Sequence, residues 1–336
     1  MEQGTEAQDA RASERTGGHG RFESGKPGLT PPGPSPAAPS GVSPRQLAQR
    51  AAFSAIRWAR GALPRAWYRF SAPSSPAEVN TRDVRPMFLW VRAHEFQNDR
   101  RWRADYAFGI LTAAWIAAGH SIPEISCFEF GVAGGTGLLA MERIAKHAES
   151  LLGVKVQVYG FDTGTGMPPA VDQRDAGFSL YEGSCDMDVD KLRGRLERAE
   201  LVLGDVAETV PRFLERDYAP VGFISNEIDY YSATMNSFGV LEAPPERLLP
   251  RVPCFFASLM WHPWTEALGN RAAINDFNAR HAQRTLAPIA GLRYEWLPRS
   301  EFRRRWPDKM FVAEIFDHPL YGEPQGIPPL DQTLAE

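Results

Sequence analysis

The chain has 336 residues, of which 43% are hydrophobic and 23% are charged, so it can bury a sizeable core in one large domain. Its formal net charge of -4 and pI near 6.0 give no overall attraction to polyphosphate, and nucleic acid is not expected as a partner. Three cysteines, an odd number in a long chain, favour a reducing, cytoplasmic environment. The sequence shows no apolar signal-peptide region and no run of about eighteen apolar residues, so we expect neither secretion nor a membrane span.

The first 83 residues differ in composition from the rest of the chain. Residues 1–44 are rich in Gly, Pro and Ser, which predicts a disordered tail. Residues 45–83 predict a basic amphipathic helix followed by a linker, with arginines opposite a face of alanines and other apolar side chains. Two interpretations stay open for segment 45–70: contact with an anionic membrane surface or a partner, or packing on its own domain.

From residue 84 to residue 322 helical and strand patterns alternate, and residues 323–336 are predicted to be a C-terminal tail. This alternation predicts an α/β fold, a Rossmann-like, doubly wound and mostly parallel sheet with a C-terminal antiparallel hairpin. The predicted helices are 103–118, 137–150, 190–198, 206–216 and 271–280. The predicted strands are 125–130, 155–161, 201–203, 221–225, 254–259, 292–297 and 310–316, of which the last two form the hairpin.

A glycine-rich loop, Glu129 to Gly137, joins the first strand to the helix that follows it. Small residues at such a loop leave backbone N–H groups free and let a nucleotide-like ligand approach closely. Glu129 would repel a pyrophosphate, and the spacing departs from G-x-G-x-x-G, so the loop favours the ammonium-bearing methionine half of S-adenosylmethionine. The alternative is a turn needed only for helix–sheet packing. The candidate cofactor-binding residues here are Glu129, Phe130, Gly131, Val132, Gly135 and Thr136.

Acids also follow the second and third strands. Asp162, with Thr163 beside it, stands where doubly wound sheets place an acceptor for the two ribose hydroxyls, although Asp is also common as a turn cap. Asp205 and Val206 follow the third strand, where Asp205 either receives the adenine amino group or caps the next helix. These four residues complete the predicted cofactor site.

Four motifs together resemble those of a known enzyme family. They are Glu129-Phe-Gly-Val-Ala-Gly-Gly, Phe161 to Pro168, Gly204-Asp205-Val206 to Pro211, and Asp229 to Met235. In order and approximate spacing they resemble the macrocin-type O-methyltransferases, which are class I S-adenosylmethionine-dependent methyltransferases that act on sugar hydroxyls. The resemblance covers residues 129 to 281. It implies a Rossmann-like sheet, S-adenosylmethionine as the methyl donor, and a carbohydrate or another small polar molecule as the acceptor.

The resemblance also implies a magnesium ion, held by acids at the ends of strands four and five. Glu227 and Asp229 match the strand-four pair and are the candidate metal ligands. After strand five the paired aspartates of the family have no counterpart, because the chain reads Ala257 to His262 as ASLMWH. Since a hard cation takes several oxygen ligands, the need for magnesium stays open.

Methyl transfer to a hydroxyl needs a base near the strand ends, because the proton of the hydroxyl must be removed. His262 follows strand five and titrates in a useful range, and Glu227 is the second candidate for this catalytic role. A histidine at this place can equally cap the turn at Pro263.

Three other functions compete with O-methyl transfer. The first is an S-adenosylmethionine-binding scaffold without catalysis, which the absent strand-five acids favour. The second is a nicotinamide-dependent oxidoreductase, which the placement of Glu129 disfavours. The third is a membrane-surface protein that works through segment 45–70. Whether the chain forms a homo-oligomer stays open.

Overall fold

A seven-stranded sheet is the framework of the part of the chain that the structure describes. The structure is a computed structural model that describes residues 103–178, 181–260, 265–292 and 306–325. The predicted tail 1–44 and the predicted helix and linker 45–83 lie outside the described residues, and so does His262. Among the described residues, no helix has both the length and the apolar character to cross a membrane.

The strands of this sheet are mostly parallel. Their bounds are β1 Glu124–Phe130, β2 Lys155–Asp162, β3 Glu200–Leu203, β4 Val221–Asn226, β5 Arg251–Phe256, β6 Arg284–Pro288 and β7 Met310–Ile315. They lie side by side in the order β3-β2-β1-β4-β5-β7-β6. β1 to β5 pair in parallel, whereas β7 is antiparallel to both of its neighbours, β5 and β6. The predicted fold class is therefore confirmed, including the antiparallel pair at the end of the domain.

Helices cover both faces of the sheet. Their bounds are α1 Ala104–Gly119, α2 Thr136–Leu152, α3 Val189–Arg193, α4 Val206–Leu214, α5 Tyr231–Ser237 and α6 Gly269–Arg280, with 3₁₀ turns at Gln173–Asp175, Phe238–Glu242, Pro245–Arg247, Ala257–Met260 and Trp306–Lys309. Neighbouring residues of a strand point to opposite faces. On β1 the side chain of Glu129 contacts Tyr106 of α1, whereas the ring of Phe128 contacts Phe213 of α4. α1 and α4 therefore lie on opposite faces, as in a doubly wound sheet.

Three predicted bounds need correction. The strand Arg284–Pro288 was not predicted, and of the predicted strand 292–297 only Leu292, which lies in a turn, is among the described residues. β5 starts earlier than predicted and ends at Phe256, because the chain winds into a 3₁₀ turn from Ala257 onward. The helix predicted at 190–198 ends at Arg193.

The carboxyl ends of the parallel strands meet at one edge of the sheet. Phe130, the last residue of β1, pairs with Phe161 of β2 on one side and with Asn226 of β4 on the other. The backbone N–H of Glu227 donates to the carbonyl oxygen of Phe130 at 2.8 Å, so the segments that leave these strands stay close together. The chain moves outward from β1 in both directions, and open α/β sheets bind ligands at such a reversal of strand order.

Glu142 of α2 fixes the chain between α3 and β3. Its side chain is buried, and its Oε1 accepts hydrogen bonds from the backbone N–H groups of Glu197, Arg198 and Ala199 at 2.9, 2.7 and 2.7 Å. A buried N–H group without an acceptor is costly, so this carboxylate determines where the chain enters β3. β3 in turn leads to Asp205 at the edge of the sheet that faces the candidate site.

We expect Glu142→Ala to lower the free energy of unfolding by about 2–4 kcal/mol, because three backbone N–H groups lose their shared acceptor. Urea denaturation measures the change. Glu142→Gln is the matched control: it keeps an oxygen acceptor at the same place and is expected to cost about 1 kcal/mol. An equal loss in both variants would contradict the role assigned to the acceptor.

Candidate active site

A cavity of about 360 Å³ opens at the carboxyl ends of β1, β2 and β4. It is lined by the glycine loop after β1, by the segment after β2, by the start of α4 and by the residues after β4. A larger groove of about 620 Å³ lies between α4 and the 238–247 turns, away from these strand ends. We assign the smaller cavity as the site, because the predicted acids converge there and not on the groove.

The carboxylate of Glu129 is buried in the wall of this cavity. Its residue is 1% exposed, and Oε1 accepts a hydrogen bond from the hydroxyl of Tyr106 at 2.6 Å. Oε2 is buried and has no hydrogen-bond partner. Burial raises the pKa of Glu129 to about 8, and the nearby Glu227 carboxylate acts in the same direction. A buried acceptor of this kind is costly unless a ligand supplies a donor.

A chain of polar side chains runs from Glu129 to the strand-four acid. The Tyr106 hydroxyl also lies 2.7 Å from Oε1 of Glu227, and the guanidinium of Arg103 donates to the same Oε1 at 2.8 Å. Arg103 also pairs with Asp105, and its guanidinium stacks over the Tyr106 ring at 3.8 Å. The first turn of α1 thus links two carboxylates that lie at the ends of different strands.

Two glycines let the loop approach these acids closely. Gly131 has a φ of +86°, and a Cβ there would lie 3.2 Å from the backbone of Glu227. Gly137 stands at the start of α2, where a Cβ would lie 1.9 Å from Oε1 of Glu129. Any larger residue at 137 would displace the Glu129 carboxylate. This position in the first turn of α2 therefore needs glycine.

The carboxylate of Asp162 accepts hydrogen bonds from backbone N–H groups of the glycine loop. Oδ2 accepts from Val132 N at 2.8 Å and from Ala133 N at 2.9 Å, and Oδ1 accepts from Gly164 N at 2.7 Å. In a dinucleotide site such amides would bind phosphate oxygens. Here the Asp162 carboxylate already accepts their hydrogen bonds. Its Oδ1 can still accept from one more donor, such as a ribose hydroxyl.

The segment after Asp162 forms one wall of the cavity and is tied to α5. Thr163, Met167 and Pro168 line the cavity. The buried carboxylate of Asp175 accepts from the backbone N–H of Ser232 at 2.7 Å and from its hydroxyl at 3.1 Å. This contact holds the wall against the start of α5.

The third strand delivers Asp205 and Val206 to the cavity. Asp205 is the N-cap of α4, and its Oδ1 accepts from Ala207 N at 2.8 Å. Both residues also line the cavity. The two roles weighed for Asp205, helix cap and cofactor contact, are therefore compatible with each other.

The residues after β4 form the end of the cavity beyond Glu129. Glu227 and Asp229 both line it. The hydroxyl of Ser258, after β5, donates to Oδ1 of Asp229, and burial raises the pKa of Asp229. Two carboxylates from the segment after β4 thus line this end of the cavity, and a hydroxyl that follows β5 contacts one of them.

These oxygens do not fit a magnesium site. Glu227 is engaged by the cation Arg103 and by Tyr106, and Asp229 by Ser258. Within the described ranges, no group of three or more His, Cys, Asp or Glu side chains is arranged to hold a metal ion. A hard cation needs more free oxygen ligands than this arrangement offers. The assignment of Glu227 and Asp229 as metal ligands stays a sequence-based prediction, and we derive no step through a metal.

The structure brings most of the predicted site residues together. Phe130 and Gly135 are the exceptions: the Phe130 ring is in the core, stacked on Phe161 at 4.8 Å, and Gly135 is the left-handed N-cap of α2, packed against Leu192. His262 lies outside the described residues. The predicted residues that line the cavity are Glu129, Gly131, Val132, Thr136, Asp162, Thr163, Asp205, Val206, Glu227 and Asp229.

Sequence reasoning missed the contribution of α1. Arg103 lines the cavity, and Tyr106 contacts two of its acids, Glu129 and Glu227. One signal was present: an arginine and a tyrosine three residues apart share one helical face at the start of an otherwise apolar helix. Polar side chains in that position must find polar partners when the helix is buried.

The chain is similar to several solved methyltransferase structures. It is 20% identical to CalS11, a calicheamicin methyltransferase, over 82% of this chain and 94% of that chain, with a TM-score of 0.44. The O-methyltransferase NovP is 14% identical over 61% of this chain and 77% of that one, with a TM-score of 0.41. An O-methyltransferase from Bacillus cereus, solved in complex with SAH, is 13% identical over 53% and 71%, with a TM-score of 0.33.

No protein-family model and no curated protein matches the sequence. The names of the similar structures agree with the predicted resemblance to methyltransferases. Because the identities and TM-scores are low, the activity proposed below rests on the cavity of this chain.

The raised pKa of Glu129 predicts an unusual dependence of stability on pH. Between the ordinary value of 4.5 and about 8 the folded chain holds a proton that the unfolded chain releases. The contribution of Glu129 to the free energy of unfolding is therefore present below pH 4.5 and is lost as the pH rises through about 8, by at most about 1.4 kcal/mol per pH unit. We expect Glu129→Gln to remove this loss and to make the ligand-free protein more stable near pH 8.

Urea denaturation at several pH values between about 5 and 9 measures this effect. Glu215→Gln is the matched control, because Glu215 is exposed and outside the cavity. If Glu129→Gln shows the wild-type pH dependence, Glu129 is ionised throughout and the assignment of its environment is wrong.

Proposed function

We propose that the chain is an S-adenosylmethionine-dependent methyltransferase that methylates a hydroxyl group of a sugar or of another small polar acceptor. The observation that carries the proposal is the buried carboxylate of Glu129 in the cavity wall, of which Oε1 has a hydrogen-bond partner and Oε2 has none. It offers one acceptor oxygen to a ligand that bears a positive charge. A phosphorylated ligand would meet a carboxylate at the loop tip, because Asp162 already pairs with the amides of Val132 and Ala133.

The residues present fit the three parts of this cofactor. Oε2 of Glu129 would accept from the ammonium of the methionine half, and Asp162, with Thr163 beside it, would accept from the ribose. Asp205 and Val206, which also line the cavity, would flank the adenine. When bound, the cofactor supplies a methyl group on a positively charged sulfur. The rest of the chemistry is the work of the protein, which must align the acceptor, exclude water and remove one proton.

Glu227 is the described residue best placed to take that proton. Arg103 and Tyr106 both lie against its Oε1, which fixes the carboxylate and leaves Oε2 clear of these two contacts. The arrangement would hold the acceptor hydroxyl beside the end of β4, next to the methionine half of the cofactor site. His262 stays the second predicted base. A carboxylate or an imidazole in this role contributes about 10²–10⁴-fold to the rate.

A carbohydrate acceptor fits the two carboxylates, Glu227 and Asp229, that line this end of the cavity. Glu227, Asp229 and Ser258 can each accept a hydrogen bond from a sugar hydroxyl. A role in glycan or secondary-metabolite biosynthesis, a cytoplasmic location and a membrane contact through segment 45–70 stay predictions.

We expect S-adenosylmethionine to bind and the nicotinamide dinucleotides not to bind. Glu129→Ala and Asp162→Ala should weaken S-adenosylmethionine binding by roughly 10–100-fold, because each removes a charged acceptor whose hydrogen bond contributes about 1.5–3 kcal/mol. Titration calorimetry measures both. Glu142→Gln, outside the cavity, is the control for general loss of structure. Affinity for the nicotinamides alone would overturn the proposal.

For turnover, we expect Glu227→Gln and His262→Ala to lower kcat while cofactor affinity stays within about threefold of the wild-type value. Release of a methyl group from radiolabelled cofactor to a panel of nucleotide sugars and free glycosides measures the rate. Full activity in both variants would show that neither residue is the base. Cofactor binding without turnover on any acceptor would favour the scaffold function instead.

A further inference from the structure

We propose that Asp175 is a positioning residue: from the wall beside the cofactor it supplies the cap that α5 lacks, and it thereby couples cofactor binding to the ordering of the acids after β4. The wall segment, residues 163–178, lies within the described ranges. The inference rests on the proposed function, since S-adenosylmethionine would contact this wall, and extends it to a residue that does not line the cavity.

α5 has no cap of its own. Its N-cap residue, Tyr230, makes no side-chain hydrogen bond to the helix, although the first backbone N–H groups of a helix find no partner within it. Asp175 supplies the partner from another segment: its Oδ1 accepts from the backbone N–H of Ser232, in the first turn, at 2.7 Å. Because a helix of seven residues is not stable by itself, this bond from outside helps to form it.

The same carboxylate also forms the turn of the wall segment. Oδ2 of Asp175 accepts from the backbone N–H groups of Val171 and Asp172, each at 2.9 Å. The hydroxyl of Ser232 donates to the same oxygen at 3.1 Å. Asp175 is 1% exposed, and a buried hydrogen-bonding group without a partner is costly. The wall segment and α5 therefore keep a fixed place relative to each other through one side chain.

Arg174 adds a second contact between the wall segment and α5. Its Cζ lies 3.6 Å from the centroid of the Tyr231 ring, and its guanidinium pairs with Asp276 of α6 at 2.8 Å. The Tyr231 hydroxyl donates to the same oxygen of Asp276 at 2.7 Å. The side chains of Arg174 and Asp276 are 35% and 37% exposed, so solvent weakens their ion pair. The buried Asp175 is the stronger connection.

The helix that Asp175 caps begins directly after the acids of the candidate site. Asn270 of α6 donates to the carbonyl oxygen of Ile228, between those acids, at 2.9 Å. The same amide group donates to the hydroxyl of Thr234 in α5 at 2.8 Å. The segment that carries the acids is thus held together with α5, so an ordered α5 keeps the acids in place.

Both ends of this connection reach the cavity. Met167 and Pro168 line it from the wall segment. Tyr230 and Ala233 line it from the cap and the first turn of α5. A cofactor bound against the wall segment would hold it in place, and through Asp175 it would make local opening of α5 rarer. By linkage, the ordering of α5 favours cofactor binding by the same factor.

Amide hydrogen exchange of the full chain, with and without S-adenosylhomocysteine, measures this coupling. This ligand keeps the ammonium, the ribose and the adenine of the cofactor but has no methyl group to transfer. In the wild type we expect it to slow exchange in residues 234–237 of α5, which do not line the cavity, by roughly tenfold, the effect of one hydrogen bond. Asp175→Asn should abolish the slowing, because an amide has one acceptor oxygen and cannot serve both Ser232 and the wall segment.

The ratio of exchange rates distinguishes positioning from a merely structural role. Loss of stability alone would speed exchange in α5 equally with and without the ligand, and the ratio would stay at its wild-type value. Asp186→Asn is the matched control, because it makes the same change of charge at an exposed acid outside the cavity and the wall segment. Ser232→Ala removes only the longer bond to Asp175 and should keep most of the slowing.

Turnover gives a second readout. On the acceptor panel, Asp175→Asn should lower kcat by up to about 10²-fold, because the acids after β4 lose their fixed place. Its affinity for S-adenosylhomocysteine should fall by no more than about tenfold, since linkage limits the loss to the coupling factor. Wild-type kcat in this variant would overturn the positioning role.

The outcomes separate this inference from the proposed function. Equal slowing of α5 in wild type and Asp175→Asn would overturn the role of Asp175 and leave the methyltransferase proposal intact. If Asp175→Asn does not fold, the wild type decides: bound S-adenosylhomocysteine that leaves exchange in residues 234–237 unchanged overturns the inference. Absence of S-adenosylmethionine binding in the wild type would overturn the proposed function itself.

Discussion

The site depends on keeping a carboxylic acid away from water at the end of a central strand. Every residue of β1 after the first is buried, so any acid in that strand must lie in a dry environment. Glu129 is tolerated because Tyr106 supplies one hydrogen bond and because the cavity lies on its other side. Such a group weakens the free protein, as functional groups often do, and is expected to be compensated when a ligand completes its hydrogen bonds.

Asp162 pairs with backbone N–H groups of the glycine loop, whereas Glu129 has an acceptor oxygen without a donor. The glycine loop ends at the start of α2, where unpaired N–H groups attract anions. The carboxylate that follows β2 takes two of them, so the positive end of this loop is neutralised by the protein. The cavity therefore presents carboxylates, while two N–H groups of the loop are already paired, and this arrangement supports the proposed binding of a cationic nucleoside.

Much of this could be predicted from the sequence because the relevant signals are local. Glu129 and Asp162 each follow an apolar strand and precede small residues, and parallel strands bring their carboxyl ends to one edge. The partners from α1 were not predictable in the same way. Whether the first turn of that helix reaches β1 or β4 depends on how the helix lies on the sheet, which no local pattern of residues encodes.

Elements with weak periodicity were also missed. β6 contains Arg284 and a proline and was not predicted, because its strand character comes from pairing with β7. α5 begins at Tyr231, directly after Tyr230, and was not predicted, since aromatic residues favour strands in isolation. Its helical turn is stabilised by tertiary contacts, among them the bonds from Ser232 to Asp175.

The position of α1 bears on where this domain begins. The seven strands and the glycine loop are complete from Glu124 onward, so a boundary drawn at the first strand would keep the whole sheet. It would also remove Arg103, which pairs with Glu227, and Tyr106, which contacts both Glu129 and Glu227. The first turn of α1 thus belongs to the candidate site, and a truncated version that folds would leave the carboxylates of Glu129 and Glu227 without these partners.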